Sequence, residues 1–166
     1  MHSASGTSVR LRPAIDADSR RIWEWRNEAA ARAASFNTDM IPIDVHTAWF
    51  ARVLEGAGPQ VLVASDAEGK DIGYVRFDIE GDTAEISVCL DQAHRNRGVG
   101  RRVIRDSARL MIREHHLHRI VALVKPGNEA SLAAFTSAGF VVRGRQRRGG
   151  VDAWALEFAE AERADA

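Results

Sequence analysis

The residues best suited to chemistry lie in the run Arg95-Asn96-Arg97-Gly98-Val99-Gly100-Arg101, between a strand pattern and a helix pattern. Two glycines allow backbone amides to approach a ligand closely. The start of the following helix offers unpaired N–H groups and the positive end of a dipole. Arg95, Arg97 and Arg101 add charge-assisted donors. This combination suits an anionic ligand that carries phosphate, although an isolated Gly-x-Gly is also compatible with a basic helix start on the surface. It is not a P-loop, because no Gly-Lys-Ser/Thr closes it. It is not the dinucleotide fingerprint either, which needs Gly-x-Gly-x-x-Gly after an early strand.

A second constellation precedes it. Ile72–Ile79 and Thr83–Leu90 read as two strands joined at Gly81-Asp82, a hairpin signal. A two-residue turn pairs Asp78 with Glu85, Phe77 with Ile86, Arg76 with Ser87, Val75 with Val88 and Tyr74 with Cys89. Side chains alternate along a strand. Phe77, Ile86, Val75 and Val88 therefore share one face, and Tyr74, Arg76, Asp78, Glu85, Ser87 and Cys89 share the other. A polar face on central strands is solvated, paired or used. Asp78 beside Glu85 raises the pKa of one of them, whereas Arg76 lowers it. Cys89 reads as a half-buried small residue, not a nucleophile.

These segments need a scaffold, and the 166 residues suffice for one domain. With 45% hydrophobic and 28% charged residues, the composition is that of a globular chain. The 23 basic and 23 acidic side chains cancel, which gives no general attraction to nucleic acid or anionic membrane. Single Cys89 excludes an internal disulfide, and with no apolar leader or span the expected location is the cytoplasm. Val9–Arg12 reads as a strand broken by Pro13. Asp18–Ala33 reads as a helix carrying Ile22, Trp25 and Ala29. A second helix begins near Pro42 and Asp44, with Val45, Trp49, Phe50, Val53 and Leu54 as its apolar stripe. Gln60–Ser65 is a strand. Val99, Val103, Ile104, Ala108 and Met111 mark a strong helix. Arg119–Val124 is a strand, and Asn128 caps a helix that stops at Gly139. Phe140–Arg147 and Val151–Phe158 pair around Gly149-Gly150. The order β-α-α-β-β-β-α-β-α-β-β predicts a mixed α+β sheet. The domain is expected to span residues 7–158, with loose tails at 1–6 and 159–166.

The stretch Ile86-Ser87-Val88-Cys89-Leu90-Asp91-Gln92-Ala93-His94-Arg95-Asn96-Arg97-Gly98-Val99-Gly100 resembles the acetyl-CoA motif of the GCN5-related N-acetyltransferase (GNAT) superfamily. Asn128-Glu129-Ala130-Ser131, with Phe135 and Gly139-Phe140, resembles the family's second cofactor motif. The resemblance implies a GNAT fold: a mostly antiparallel sheet of about seven strands flanked by four helices, with acetyl-CoA in a wedge between strands four and five. It implies that backbone groups of Val88 and Leu90 bind the pantetheine arm. Arg95, Asn96, Arg97, Gly98, Val99, Gly100 and Arg101 would hold the pyrophosphate, and Asn128 and Ser131 would contact the pantetheine. Phe135 stands where many members carry a tyrosine acid. Transfer to an amine needs a base, for which Glu85 is the first candidate, and Tyr74, the sole tyrosine, could serve as the acid. A solvated, salt-bridged sheet face is the competing reading of both.

The early segments Trp25-Arg26-Asn27, Phe36-Asn37 and His46-x-x-Trp49-Phe50 resemble the branch that acetylates nucleotide-linked amino sugars, including pseudaminic-acid-pathway enzymes. This implies an acceptor site using Trp25, Arg26, Asn27, Phe36, Asn37 and His46, with Trp25 and Trp49 as alternative core residues and His46 as an alternative exposed one. A metal is not expected: His115-His116-x-His118 lacks carboxylate or cysteine partners at ligand spacing. The expected activity is direct acetylation of a primary amine of a small molecule. The alternatives are a peptide or protein acceptor, and a non-catalytic acetyl-CoA-binding domain. Arg143, Arg145, Arg147 and Arg148 are expected to be a solvated hairpin, not a nucleic-acid surface. Dimers are common among members of the superfamily, and the last strand pair offers an edge compatible with a homodimer.

Overall fold

The computed structural model describes residues 8–95 and 97–160. Seven strands form one sheet: β1 (Arg10–Pro13), β2 (Gln60–Ser65), β3 (Asp71–Glu80), β4 (Thr83–Leu90), β5 (Arg119–Val124), β6 (Val141–Arg148) and β7 (Val151–Phe158). Their order across the sheet is β1-β2-β3-β4-β5-β7-β6, so β6 is an outer edge and β7 lies inside it. All pairings are antiparallel except β4–β5. A parallel pair needs a crossover, and α4 (Val99–His115) supplies it. The other α-helices among the described residues are α1 (Ser19–Asn27), α2 (Ala29–Ala34), α3 (Ile43–Leu54) and α5 (Glu129–Ser137).

The predicted hairpin register is the observed one at every position, from Tyr74 opposite Cys89 to Asp78 opposite Glu85. Gly81 has a φ of 62°, the left-handed turn conformation that glycine adopts without strain. The two faces of the sheet are covered differently. Val75, Phe77 and Ile86 pack with Val103, Ile104 and Met111 of α4 and with Phe135 near α5's end. On the other face Tyr74, Val61 and Val63 pack with Ile22 and Trp25 of α1 and Phe50 of α3. The expected polar face is thus roofed at its Tyr74 end and open at its Glu85 end.

Two expectations change. The helix expected over Asp18–Ala33 is two helices, and five helices replace the predicted four. Glu28 has ψ 141°, an extended value that breaks the ladder between α1 and α2. The apolar stripe of α3 holds at Trp49, Phe50 and Val53 but not at its ends: Val45 is 56% exposed and Leu54 is exposed too, whereas His46 is buried. Aromatic packing decides the face, because the His46 ring stacks on Phe50 at 5.7 Å and lies 5.6 Å from Trp49.

Candidate active site

Strands β4 and β5 pair only from Thr83–Glu85 to Arg119–Val121. Beyond that point β4 continues along β3 alone and β5 along β7 alone. The two inner strands splay, and a wedge opens at Glu85 and Val121. Peptide groups of Ile86–Leu90 on this side have no strand partner, and buried backbone groups require one. Val88 and Leu90 therefore lie where an extended amide-containing chain can complete the ladder.

The loop after β4 closes one end of the wedge. Gly98 holds the N-terminal cap of α4 at φ 75°, and a Cβ at Gly100 would stand 3.2 Å from the Leu90 side chain. Val99 and Gly100 begin the helix, and Arg97 and Arg101 are exposed beside it. Asn96 lies outside the described residues. Arg95 points elsewhere than expected from its motif. Its guanidinium donates to the Leu90 carbonyl from Nη2 at 2.9 Å and to Glu28 at 3.1 Å. It ties the loop to the end of β4 and to the break between α1 and α2. Asn128 caps α5 by accepting the Ser131 N–H at 3.2 Å. Phe135 is buried edge-to-face on Phe140, with ring centroids 5.1 Å apart. The open strand edge, the helix start and the exposed arginines together fit a long ligand with phosphates at one end.

The open face beside the vertex carries Glu85, Asp78, Arg76 and Arg148 around a groove that also reaches Arg119. Arg148, from the β6–β7 hairpin, grips Glu85 through both guanidinium arms, with one bond at 2.7 Å. Its partner carboxylate keeps the Arg148 guanidinium above its ordinary value. The same guanidinium lies 5.5 Å from the Phe36 ring. Arg76 pairs with Asp78 at 2.9 Å. Tyr74 is 6% exposed and stacks on Trp25 at 6.2 Å. Burial pushes its phenol far above the ordinary range. Such a phenol donates a hydrogen bond but is a poor source of a transferable proton. Burial likewise pushes the Cys89 thiol up to about 12, so it is no thiolate nucleophile.

The early acceptor candidates separate into two groups. Trp25 is 2% exposed and donates from its indole to Asp91 at 3.2 Å. Asn27 uses its amide on both backbone groups of Ile41, at 3.0 and 2.8 Å. His46 is fully buried and bonds the Ser19 carbonyl at 2.8 Å. Asn37 accepts from the Asp39 N–H at 3.0 Å in an exposed loop. These four hold the structure together locally. Arg26 and Phe36 remain free to meet a ligand. From sequence Arg148 is one of a solvated arginine cluster, and no local spacing signals its contact with Glu85 across 63 residues.

The wedge and glycine loop agree with a match to the acetyltransferase (GNAT) domain model over residues 8–141. The chain belongs to that family and is an acetyl-CoA-dependent N-acetyltransferase. It is 37% identical over 145 residues to the L-amino acid N-acyltransferase MnaT of Escherichia coli, covering 80% of this chain and 79% of that one. It is 32% identical over 146 residues to an L-methionine sulfoximine/L-methionine sulfone acetyltransferase of Pseudomonas paraeruginosa, covering 83% of each. The structure of yncA from Salmonella typhimurium with its cofactor acetyl-CoA superposes with a TM-score of 0.72, at 30% identity, over 96% of this chain and 98% of that one.

Proposed function

We propose that this enzyme transfers acetyl from acetyl-CoA to the primary amine of a free amino acid or amino-acid analogue. The observation that carries the reading is the position of Glu85, at the last paired residue before β4 and β5 separate. A carboxylate there meets the end of a chain lying in the wedge and the open groove at once. The similarity to amino-acid acyltransferases over about four-fifths of the chain supports the acceptor class.

In this reading Val88 and Leu90 hold the pantetheine by backbone bonds. Arg97, Gly98, Val99, Gly100 and Arg101 hold the pyrophosphate, with Asn96 in the same run. Asn128 and Ser131 flank the arm. Arg95 supports the loop from beneath. Glu85, once its grip with Arg148 loosens, takes the proton from the amine directly or through one water. The amine nitrogen forms a bond to the thioester carbonyl carbon, the carbon–sulfur bond breaks, and the CoA thiolate leaves. Tyr74 contributes a hydrogen bond at most, and the thiolate takes its proton from solvent.

A nucleotide-linked amino sugar is the second acceptor reading. The Trp25-Arg26-Asn27 and Phe36-Asn37 segments favour it, though Trp25 and Asn27 are engaged within the protein. Release of free CoA should be followed with amino acids, methionine sulfone, amino-sugar nucleotides, polyamines, aminoglycosides and peptides. Turnover confined to the amino-acid group supports the proposal. Turnover confined to an amino-sugar nucleotide or a peptide overturns it.

A further inference from the structure

Arg26 extends from α1 onto the sheet face that carries Tyr74, Arg76 and Cys89. It is half-buried, and among the described residues it forms neither an ion pair nor a hydrogen bond. Its neighbours are all neutralised: Arg76 by Asp78, Arg95 by Glu28, and Arg148 by Glu85. A partly desolvated guanidinium with five unsatisfied donors is costly unless a ligand completes it. Burial pushes Arg26 down from its ordinary value, and the charge of Arg76 adds to that effect.

Trp49 links this cation to the groove. The Arg26 guanidinium lies 4.7 Å from the centre of the Trp49 ring, and that of Arg76 lies 5.4 Å from it. Two guanidinia thus flank one indole. Arg76 lines the groove with Glu85, and Trp49 connects Arg76 to Arg26 beyond the groove's own lining.

Charge selects among amine classes. With Arg76 matched by Asp78 and Arg148 by Glu85, Arg26 is the unpaired positive charge beside Trp49, while Glu80, which also lines the groove, carries a negative one. The reactive free-base form of an α-amino acid carries one negative charge, on its carboxylate. Polyamines and aminoglycosides carry several positive charges and no carboxylate, so they offer nothing to Arg26 and are repelled at its position.

We propose that Arg26, with Arg76 beside it across Trp49, is the docking site for the carboxylate of the acceptor and determines its specificity. The inference rests on the reading of the enzyme as an acetyltransferase of amino-acid-like amines. The test compares three acceptors of similar shape: L-methionine sulfone, its carboxamide, and 3-(methylsulfonyl)propylamine, which lacks the carboxylate. Each is assayed with the unaltered enzyme, Arg26→Gln and Arg26→Lys. Thermal melting and acetyl-CoA titration establish that the variants are folded.

The unaltered enzyme is expected to favour the carboxylate by at least about tenfold in kcat/KM, the scale of a charge-assisted hydrogen bond. Arg26→Gln should bring that ratio to within about threefold of unity, mainly through KM, and Arg26→Lys should restore part of it. An unchanged ratio in folded Arg26→Gln overturns the site while leaving the amino-acid function standing. If the unaltered enzyme uses none of the three but acetylates an amine of another class, the function itself fails and the carboxylate site fails with it. That result is recognisable because no ratio exists to measure.

Discussion

Glu85 can help an amine only when its carboxylate is not fully occupied, and Arg148 occupies both of its oxygens. This makes the Glu85–Arg148 contact part of the free enzyme's resting arrangement. Glu85→Gln keeps the shape and removes the proton acceptor. Its kcat with an amine should fall about 10²- to 10⁴-fold in a CoA-release assay, with acetyl-CoA binding retained in calorimetry. Tyr74→Phe tests the other candidate. A buried phenol that only donates a hydrogen bond is worth about two- to tenfold in rate. A loss beyond about 100-fold would instead assign it the proton. The opposition of Glu85 and Asp78 was legible from residue alternation and a two-residue turn. The contact with Arg148 was not, because it depends on how β7 and β6 are ordered beyond β5. Burial of Trp25 agrees with its place on the apolar stripe of the first helix, whereas burial of His46 was hidden, since a histidine on a helix looks the same whether it faces solvent, a ligand or a core.

At the scale of elements, β3 and β4 approach each other most tightly beside the stretch of β4 that borders the wedge. Gly73 makes this visible. A Cβ there would stand 2.3 Å from the Cys89 carbonyl oxygen and 2.9 Å from the Leu90 Cα. Both are backbone atoms and neither can swing away. Gly73→Ala should therefore cost about 1–3 kcal/mol of stability in denaturant unfolding. It should also weaken acetyl-CoA binding, because the displaced segment of β4 is the one beside the wedge. Gly73 gave no sequence signal beyond a glycine in a strand. The strands themselves were legible almost to the residue, because alternation with a period of two is insensitive to what covers each face. The helices were less so. The extended Glu28 interrupts a run of alanines and charges that reads as continuous helix, and its partner Arg95 lies 67 residues away. His46 is not legible as part of the α3 stripe, because it counts as polar in sequence but behaves as an aromatic plate between Trp49 and Phe50.

For the whole molecule, His46 couples stability to pH. Its Nε2–H is the group positioned to donate to the Ser19 carbonyl, and its buried Nδ1 has no partner among the described residues. Protonation would place a second N–H where nothing receives it. Burial lowers the ring's pKa below the ordinary value, with the charge of Arg26 adding and the Ser19 carbonyl opposing. The stability from neutral His46 is complete above about pH 6.5, the unfolded value, and is lost as pH falls toward the lowered folded value. The melting temperature should drop between pH 7 and pH 5, and His46→Phe should flatten that slope. The gap between β4 and β5 has a further result for the enzyme as a whole. Without its donor substrate the protein is a sheet with rungs missing from its central ladder. The wedge-side amides between Ile86 and Leu90 should exchange with heavy water faster than those that face β3, and slow when acetyl-CoA enters. By mass action, a donor concentration 100 times its Kd adds about 2.7 kcal/mol to folding. Added acetyl-CoA should therefore lengthen the time the enzyme survives a protease, so the donor acts on its persistence as well as on its rate.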